Sequence, residues 1–301
     1  MKAGWLLGCC LGFAIGTCYG ADAGVVTVAD GELRLLRGVN WYKLVEGARV
    51  LDGDLVEASD RALVQIELLR GGIVNLSGPS SLYIAGAAAR EGRQPADLYV
   101  PQGWTKLGTK PPGAPLRLRS ALATVEVANA VVVARAAPNA FELFVESGDA
   151  RVSEPGRSGP DALRDLHGGD FAGRPAGQQF ALAGRAPPVF VGAMPRPFMD
   201  TLPSRMEKFK AATKTELKLE RPITFAEAEP WLNGPYRSVF IKRLQPRLAD
   251  TTFRAAVAAN AQTYPEWIGV PAPAPQEAAK TEPAKPPEKK ESGLPWPFSH
   301  R

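Results

Sequence analysis

From Val25 to Ile84 apolar and polar residues alternate in short runs that glycine-centred turns interrupt: VVTVADGELRLLRG, VNWYKLVEG, ARVLDGDLVEASD, RALVQIELLRGG and IVNLSGPSSLYI. Within them Leu63, Gln65 and Glu67 alternate with Val64, Ile66 and Leu68. That period of two is the pattern of a half-buried strand. Residues 85–101 read as an irregular crossover that ends in a strand at Asp97 to Val100. Strand patterns return at Leu116–Arg119, at Ala123–Val127, at Val131–Arg135 and at Phe141–Val152, the last broken by a Gly-Asp turn. Residues 155–188 are rich in glycine, proline and arginine and read as loop, so the β region is expected to close near Phe190.

After Met194-Pro-Arg-Pro the pattern becomes helical. Asp200 or Thr201 can cap a helix to about Ala212, Thr224 with Glu227 has capping-box spacing, and Asp250 can cap Thr251–Thr263. Pro235 suits a helix start, placing Tyr236, Val239, Phe240 and Leu244 on one face, while Pro230 and Pro246 limit the neighbouring helices. The expected fold is mainly β, built of stacked hairpins, followed by a small α-helical domain and a disordered tail. The expected boundaries are a signal peptide over 1–20, a β domain over 24–196, a helical domain over 197–270 and a tail over 271–301.

Composition sharpens this picture at both ends. Lys2 followed by the apolar run Trp5–Ile15 and the small residues of Tyr19–Ala23 form a cleavable secretory leader, cut after Gly20 or after Ala23. The run is too short for the ~20 residues of a bilayer span. All three cysteines, Cys9, Cys10 and Cys18, lie in it, so the exported chain would carry no thiol and depend on its own core. A lipoprotein-type cleavage at Leu6-Leu7-Gly8-Cys9 is the alternative. Residues 271–301 are Pro, Ala, Lys and Glu with little to bury, the composition of an extended tail. Its terminal Leu294-Pro-Trp-Pro-Phe is either a docking peptide or an apolar end without a partner.

Candidate chemistry is sparse. The formal charge is +5, or +4 once Lys2 leaves, and it is dispersed, which does not describe a nucleic-acid groove. His167 stands in a glycine-rich loop and His300 in the tail, so neither a nucleophilic triad nor a zinc site has its material, and no metal or cofactor is expected. Gly103-Trp-Thr-Lys-Leu-Gly-Thr-Lys has the glycines of a phosphate loop with Thr and Lys in the wrong order, and reads as a strand turn. Asp52-Gly53-Asp54 reads as a turn, with a calcium pair as the alternative. Glu142, Glu146 and Asp149 lie on an alternating strand, where carboxylates ordinarily form the solvent face, although paired carboxylates can also cleave glycosides. Trp41 and Tyr42 suit either a strand core or a stacking platform. Trp231 and Tyr236 lie near Arg237, Arg243 and Arg247, which form either a solvated face or a surface for an acidic partner.

The run Gly31–Gly38, then Trp41, Leu44, Gly47, Leu51 and Gly53-Asp54, followed by Ala62–Leu76 and Ser81–Ile84, resembles the FecR domain. Ala123–Val127 and Val145–Val152 echo the later strands of that family. The family often has a Gly-Thr pair where this chain has Ala134-Arg135, and its iron-uptake regulators place an anti-sigma segment and a transmembrane helix before the domain, where this chain has a leader. The resemblance implies a stand-alone exported member. It implies a non-enzymatic periplasmic binding protein whose partner is an envelope protein or a peptidoglycan-like polymer. The alternative it implies is an accessory part in FecR-type transmembrane signalling to a sigma-factor system.

Overall fold

Short alternating runs cannot bury themselves singly, and in the computed structural model they pair into two β layers that share one apolar core. The structure describes residues 20–88, 94–109, 112–156, 163–201, 203–210 and 215–267. The expected leader, its cysteines and the tail with its terminal aromatic peptide lie outside the described residues.

In chain order the strands are β1 (Asp22–Asp30), β2 (Leu33–Arg37), β3 (Asn40–Lys43), β4 (Arg49–Leu51), β5 (Leu55–Ala58), β6 (Leu63–Leu68), β7 (Ile73–Gly86), β8 (Ala96–Gly108), β9 (Leu116–Arg119), β10 (Thr124–Val127), β11 (Val131–Ala137), β12 (Ala140–Ser147), β13 (Asp149–Ser153), β14 (Leu163–His167), β15 (Phe171–Pro175), β16 (Ala181–Ala183) and β17 (Lys218–Pro222). The helices are α1 (Pro188–Ala193), α2 (Phe225–Leu232), α3 (Arg237–Leu244) and α4 (Thr251–Ala259). The chain forms two compact units, 1–245 and 246–301, so α2 and α3 belong with the sheet and α4 with the second unit.

The first layer runs β4-β1-β6-β7-β8-β11-β12-β15-β16, and the second β17-β3-β2-β5-β7-β8-β9-β10-β13-β14. Both contain β7 and β8, which are long enough to pass from one layer into the other. The passage shows as a register break between Ser77 and Ser81, where Gly78 and Gly103 both hold positive φ. Ser80 Oγ accepts from the Trp104 amide at 2.9 Å and donates to the Ser77 carbonyl at 2.8 Å, fixing the corner. All pairings are antiparallel except β8 with β9. Val26, Ile66, Val74, Leu107, Val132 and Val145 from one layer meet Leu35, Val56, Leu82, Leu98, Leu118 and Val152 from the other.

The fold is mainly β with helices at its C-terminal side, as expected, but several elements differ from the sequence reading. Residues 155–188 contain three strands, β14 to β16, which add to the edges of the two layers. The Gly-Asp turn at Gly148 does not make a hairpin, because β12 pairs with β11 and β15 whereas β13 pairs with β10 and β14. A glycine at φ +75° there lets the chain change layers. The helix expected from Asp200 is also absent among the described residues, which show only 3₁₀ turns at Arg196–Met199 and Met206–Phe209. Pro197 and Pro203 remove backbone donors from that stretch. Further on, β17 returns to pair with β3.

The capping signals hold. Thr224 and Glu227 form the reciprocal capping box of α2, and the Asp250 carboxylate accepts from Phe253 N at the start of α4. In the second unit Arg247 pairs with Asp250 and lies over Phe253, which with Tyr264 packs on Trp267. No described helix is long and apolar enough to cross a membrane.

Glu227 also joins the helix to the sheet, accepting from Arg221 of β17 at 2.7 and 2.8 Å and from Arg34 of β2 at 2.9 Å. The Arg221 guanidinium and the Thr224 donors hold its carboxyl far below the usual carboxylate range, against the opposing effect of burial. A carboxylate whose folded pKa is depressed stabilises fully above its unfolded value of 4.5 and loses that contribution as pH falls below it. Melting temperature should therefore be level above about pH 5.5 and fall below about pH 4.5. Glu227→Gln should lower stability at neutral pH by about 1–3 kcal/mol, after allowance for solvent screening, and flatten the acid slope. Thermal melts of parent and variant from pH 3 to 7 measure both, and parallel curves would remove Glu227 as the cause.

Candidate functional site: a groove beside a backbone-held strap

Two adjacent rows of side chains cross the outer face of the first layer. Register places Gln65 opposite Asn75, Asn75 opposite Lys106, Lys106 opposite Val133, Val133 opposite Phe144 and Phe144 opposite Phe171. One step along, Arg49 lies opposite Val25, Val25 opposite Glu67, Glu67 opposite Ile73, Ile73 opposite Gly108, Gly108 opposite Val131 and Val131 opposite Ser147.

The chain itself covers the first row. At its apolar end Phe190 and Phe198 pack with Trp104, Val133 and Phe171, and both phenyl rings are fully buried. At its polar end the side chains bind the backbone of the passing segment. Lys106 Nζ donates to the carbonyls of Phe198 at 2.6 Å and Asp200 at 3.0 Å, and Gln65 Nε2 donates to that of Pro203 at 3.0 Å. Glu67 accepts from the Arg205 amide at 2.6 Å and from the Ser204 hydroxyl. These donors hold the Glu67 carboxyl below its ordinary pKa although burial opposes them. Residues 198–201 and 203–205 thus form a strap recognised chiefly through its main chain.

The second row is left open for much of its length. Val25 is buried, and the Met206–Phe209 turn approaches β1 there. Beyond Glu67 the floor consists of half-buried Ile73, Gly108 and Val131. Between this floor, the residues Thr201, Pro203, Ser204 and Met206 and the Gly71-Gly72 turn lies a groove of about 1150 Å³. Lys106, paired with Glu146 at 2.9 Å, and Asn75 contribute polar groups to its wall. Asn75 is 2% exposed and its Oδ1 has no hydrogen-bond partner. Arg49 lines the opposite end and has no ion-pair partner among the described residues.

The sequence-predicted site residues fall elsewhere. Trp41 is fully buried with Arg34 stacked 4.2 Å over its ring, and Tyr42 beside it packs on the core. Trp231 and Tyr236 do come together, in a cluster with Tyr83, Tyr99 and Phe240 that seats α2 and α3 on the sheet. Trp231 and Tyr99 also border a cleft of about 820 Å³ with Gln102, Glu57 and Arg34. Burial raises the pKa of Tyr83, Tyr99 and Tyr236. Arg237 donates to the Leu232 carbonyl, and Arg243 is half-buried, donating to the carbonyls of Leu36, Gly38 and Gly53. Arg247 lies in the second unit, paired with Asp250.

The other candidate groups have separate partners. Glu142 meets Arg135 at 3.6 Å, Glu146 meets Lys106, and the Asp149 carboxylate accepts from exposed His167 Nδ1 at 2.7 Å, raising the imidazole pKa. Asp52 accepts from the amides of Ala87 and Ala88, and Asp54 from Arg37. Among the described residues no group of three or more His, Cys, Asp or Glu is placed to hold a metal. Sequence reasoning missed Asn75, Lys106 and Gly108. The signal for them was a polar residue on each of three successive strands, Gln65, Asn75 and Lys106, but only the register aligns them.

No family model matches the chain, and no curated protein matches it. Among solved structures it is similar to two crystal structures of a candidate anti-sigma factor from Parabacteroides distasonis. Each match has 14% identity and a TM-score of 0.37, and covers 44% of this chain and 59% of that one. The chain is thus distantly similar to part of the solved protein, spanning 59% of its length.

Proposed function

We propose that this chain is an exported, non-enzymatic interaction protein of the periplasm that binds an envelope protein, or a peptidoglycan-like polymer, through its β body. The observation that supports this most is the outer face of the first layer, where one row of side chains already holds a polypeptide by its main chain and the adjoining row is open. The leader in the sequence and the FecR resemblance over residues 25–84 support the location. That resemblance also supports the second reading, an accessory role in transmembrane signalling to a sigma-factor system.

Photo-crosslinking residues placed at exposed Leu69, Val189 and Val239 in exporting cells test the proposal. The expected result is a discrete adduct with one envelope protein, recovered again when that protein is captured first. Absence of any adduct, together with failure to sediment with peptidoglycan, would overturn it. An adduct with a membrane regulator, accompanied by altered sigma-dependent transcription on deletion, would select the signalling reading.

A further inference from the structure

We infer that the open row is a second polypeptide-binding track, which takes an extended aliphatic segment of a partner protein alongside the strap, with an acidic residue at the Arg49 end. This rests on the interaction reading and assigns it a ligand class and a place.

The first argument comes from the neighbouring row. There Lys106 and Gln65 bind the carbonyls of Phe198, Asp200 and Pro203, while Glu67, at the covered end of the open row, binds the Arg205 amide, which shows the chemistry this face applies to an extended chain crossing its strands. The open row has the same direction and the same strands. At ~4.8 Å between strands its open positions from Ile73 to Ser147 span roughly 14 Å, the length of about four extended residues, and the Arg49 side chain reaches the same groove from beyond Val25 and Glu67.

The second argument is Asn75. Asn75 borders the groove and its buried amide oxygen has no donor among the described residues, so a turn of the amide toward the groove would let an incoming N–H satisfy it. A peptide amide is such a donor. The third is the floor. Between Ile73 and Val131 the absence of a side chain at Gly108 leaves an apolar recess, and a Cβ built there meets only Val131 Cγ2, at an ordinary 3.8 Å. Gly108 is not in the left-handed region, so its backbone does not require glycine. The recess accommodates a small aliphatic side chain. Electrostatics give the polarity: Lys106 is neutralised by Glu146 and Lys210 by Glu207, whereas Arg49, which also lines the groove, has no ion-pair partner among the described residues. A carboxylate there gains a charge-assisted contact.

The probe is an acetylated octapeptide of alternating alanine and valine ending in two aspartates, titrated into the purified, isotopically labelled protein. Saturable shifts are expected in the amides of Ile73, Gly108 and Val131 and in the Asn75 side-chain amide. Gly108→Leu should weaken binding at least about tenfold while melting within about 4 °C of the parent. Exchanging the two aspartates for lysines should weaken it as well. Absence of saturable shifts, equal binding by the Gly108→Leu protein, or occupation of these residues by a peptidoglycan disaccharide fragment and not by the peptide would overturn the inference. Crosslinked adducts that persist while the peptide fails would sink the track and leave the interaction reading. Peptide binding without adducts in cells would sink that reading and leave the track.

Discussion

Gly103→Ala is expected to unfold the β body or to cost it more than about 4 kcal/mol. Gly103 sits at φ +105°, and a Cβ there would lie 2.4 Å from the Ser80 Cα and 2.1 Å from its Oγ. Strain and collision act together, because neither partner is the free end of a flexible side chain: Ser80 is itself tied to Ser77 and Trp104. The damage would not remain local. Residues 103 and 80 mark the place where β8 and β7 leave one layer for the other, so relief of the clash must shift the pairings that hold both layers to one core. Soluble yield and denaturant unfolding measure the effect. Gly53→Ala is the control: it also has positive φ but open space around the added atom, and should lose only about 1 kcal/mol. Equal losses in the two variants would show that backbone conformation and not the close approach dominates.

The second large effect is expected at Arg243. Its half-buried guanidinium donates to the main-chain carbonyls of Leu36 in β2, Gly38 in the β2–β3 turn and Gly53 in the Asp52–Asp54 turn, at 2.6 to 3.0 Å. Burial lowers its pKa, and nearby Asp54 opposes that shift. Asp54 is in turn held by both nitrogens of an Arg37 fork and by the Leu51 amide, while burial pushes its carboxyl upward. Arg243→Met keeps much of the stem's volume but removes the donors to three carbonyls and the cation near Asp54. The expected loss is about 3–5 kcal/mol. Hydrogen exchange should show it first in α2 and α3, which Arg243 anchors together with the tyrosine and tryptophan cluster, and later in β6 to β8. Uniform acceleration across the whole β body would contradict that order.

Arg243 also illustrates how far residue type alone carries. An arginine on a helix with aromatic neighbours has the composition of a binding face, and the same composition serves a clamp. Exposure decides between them, and exposure depends on which strand turn lies opposite. Trp41 and Trp231 follow the same logic. Tryptophan in a strand or on an amphipathic helix can be platform or core, and here each is inside, one beneath Arg34 and one against Tyr99.

The groove was not legible for a related reason. Asn75, Lys106 and Gly108 are far from Glu67 and Ser204 in sequence and meet only through strand register and the strap. The strap itself lies where a helix was expected. Phe198 at its start, with Phe190 and Met194 just before it, finds a partner surface in Trp104, Val133 and Phe171, and the two fully buried phenyl rings contribute roughly 1.5–3 kcal/mol each to holding it. That gain, with main-chain hydrogen bonds supplied by Lys106, Gln65 and Glu67, replaces the internal hydrogen bonds a helix would have made.

Local rules were sufficient where the physics is local. Alternation produced β1 to β7 and the strands from Leu116 to Val152, the Thr224–Glu227 spacing produced a capping box, and Asp250 capped its helix, because each depends on residues a few positions apart. Gln65 and Glu67 mark the boundary of that reasoning. Their alternation with Val64 and Ile66 correctly describes a strand with two chemically different faces, yet both are buried, since residues 198–201 and 203–205 return to cover the polar face. A period of two states which side chains share a face; only long-range packing determines whether water or another stretch of chain lies upon it.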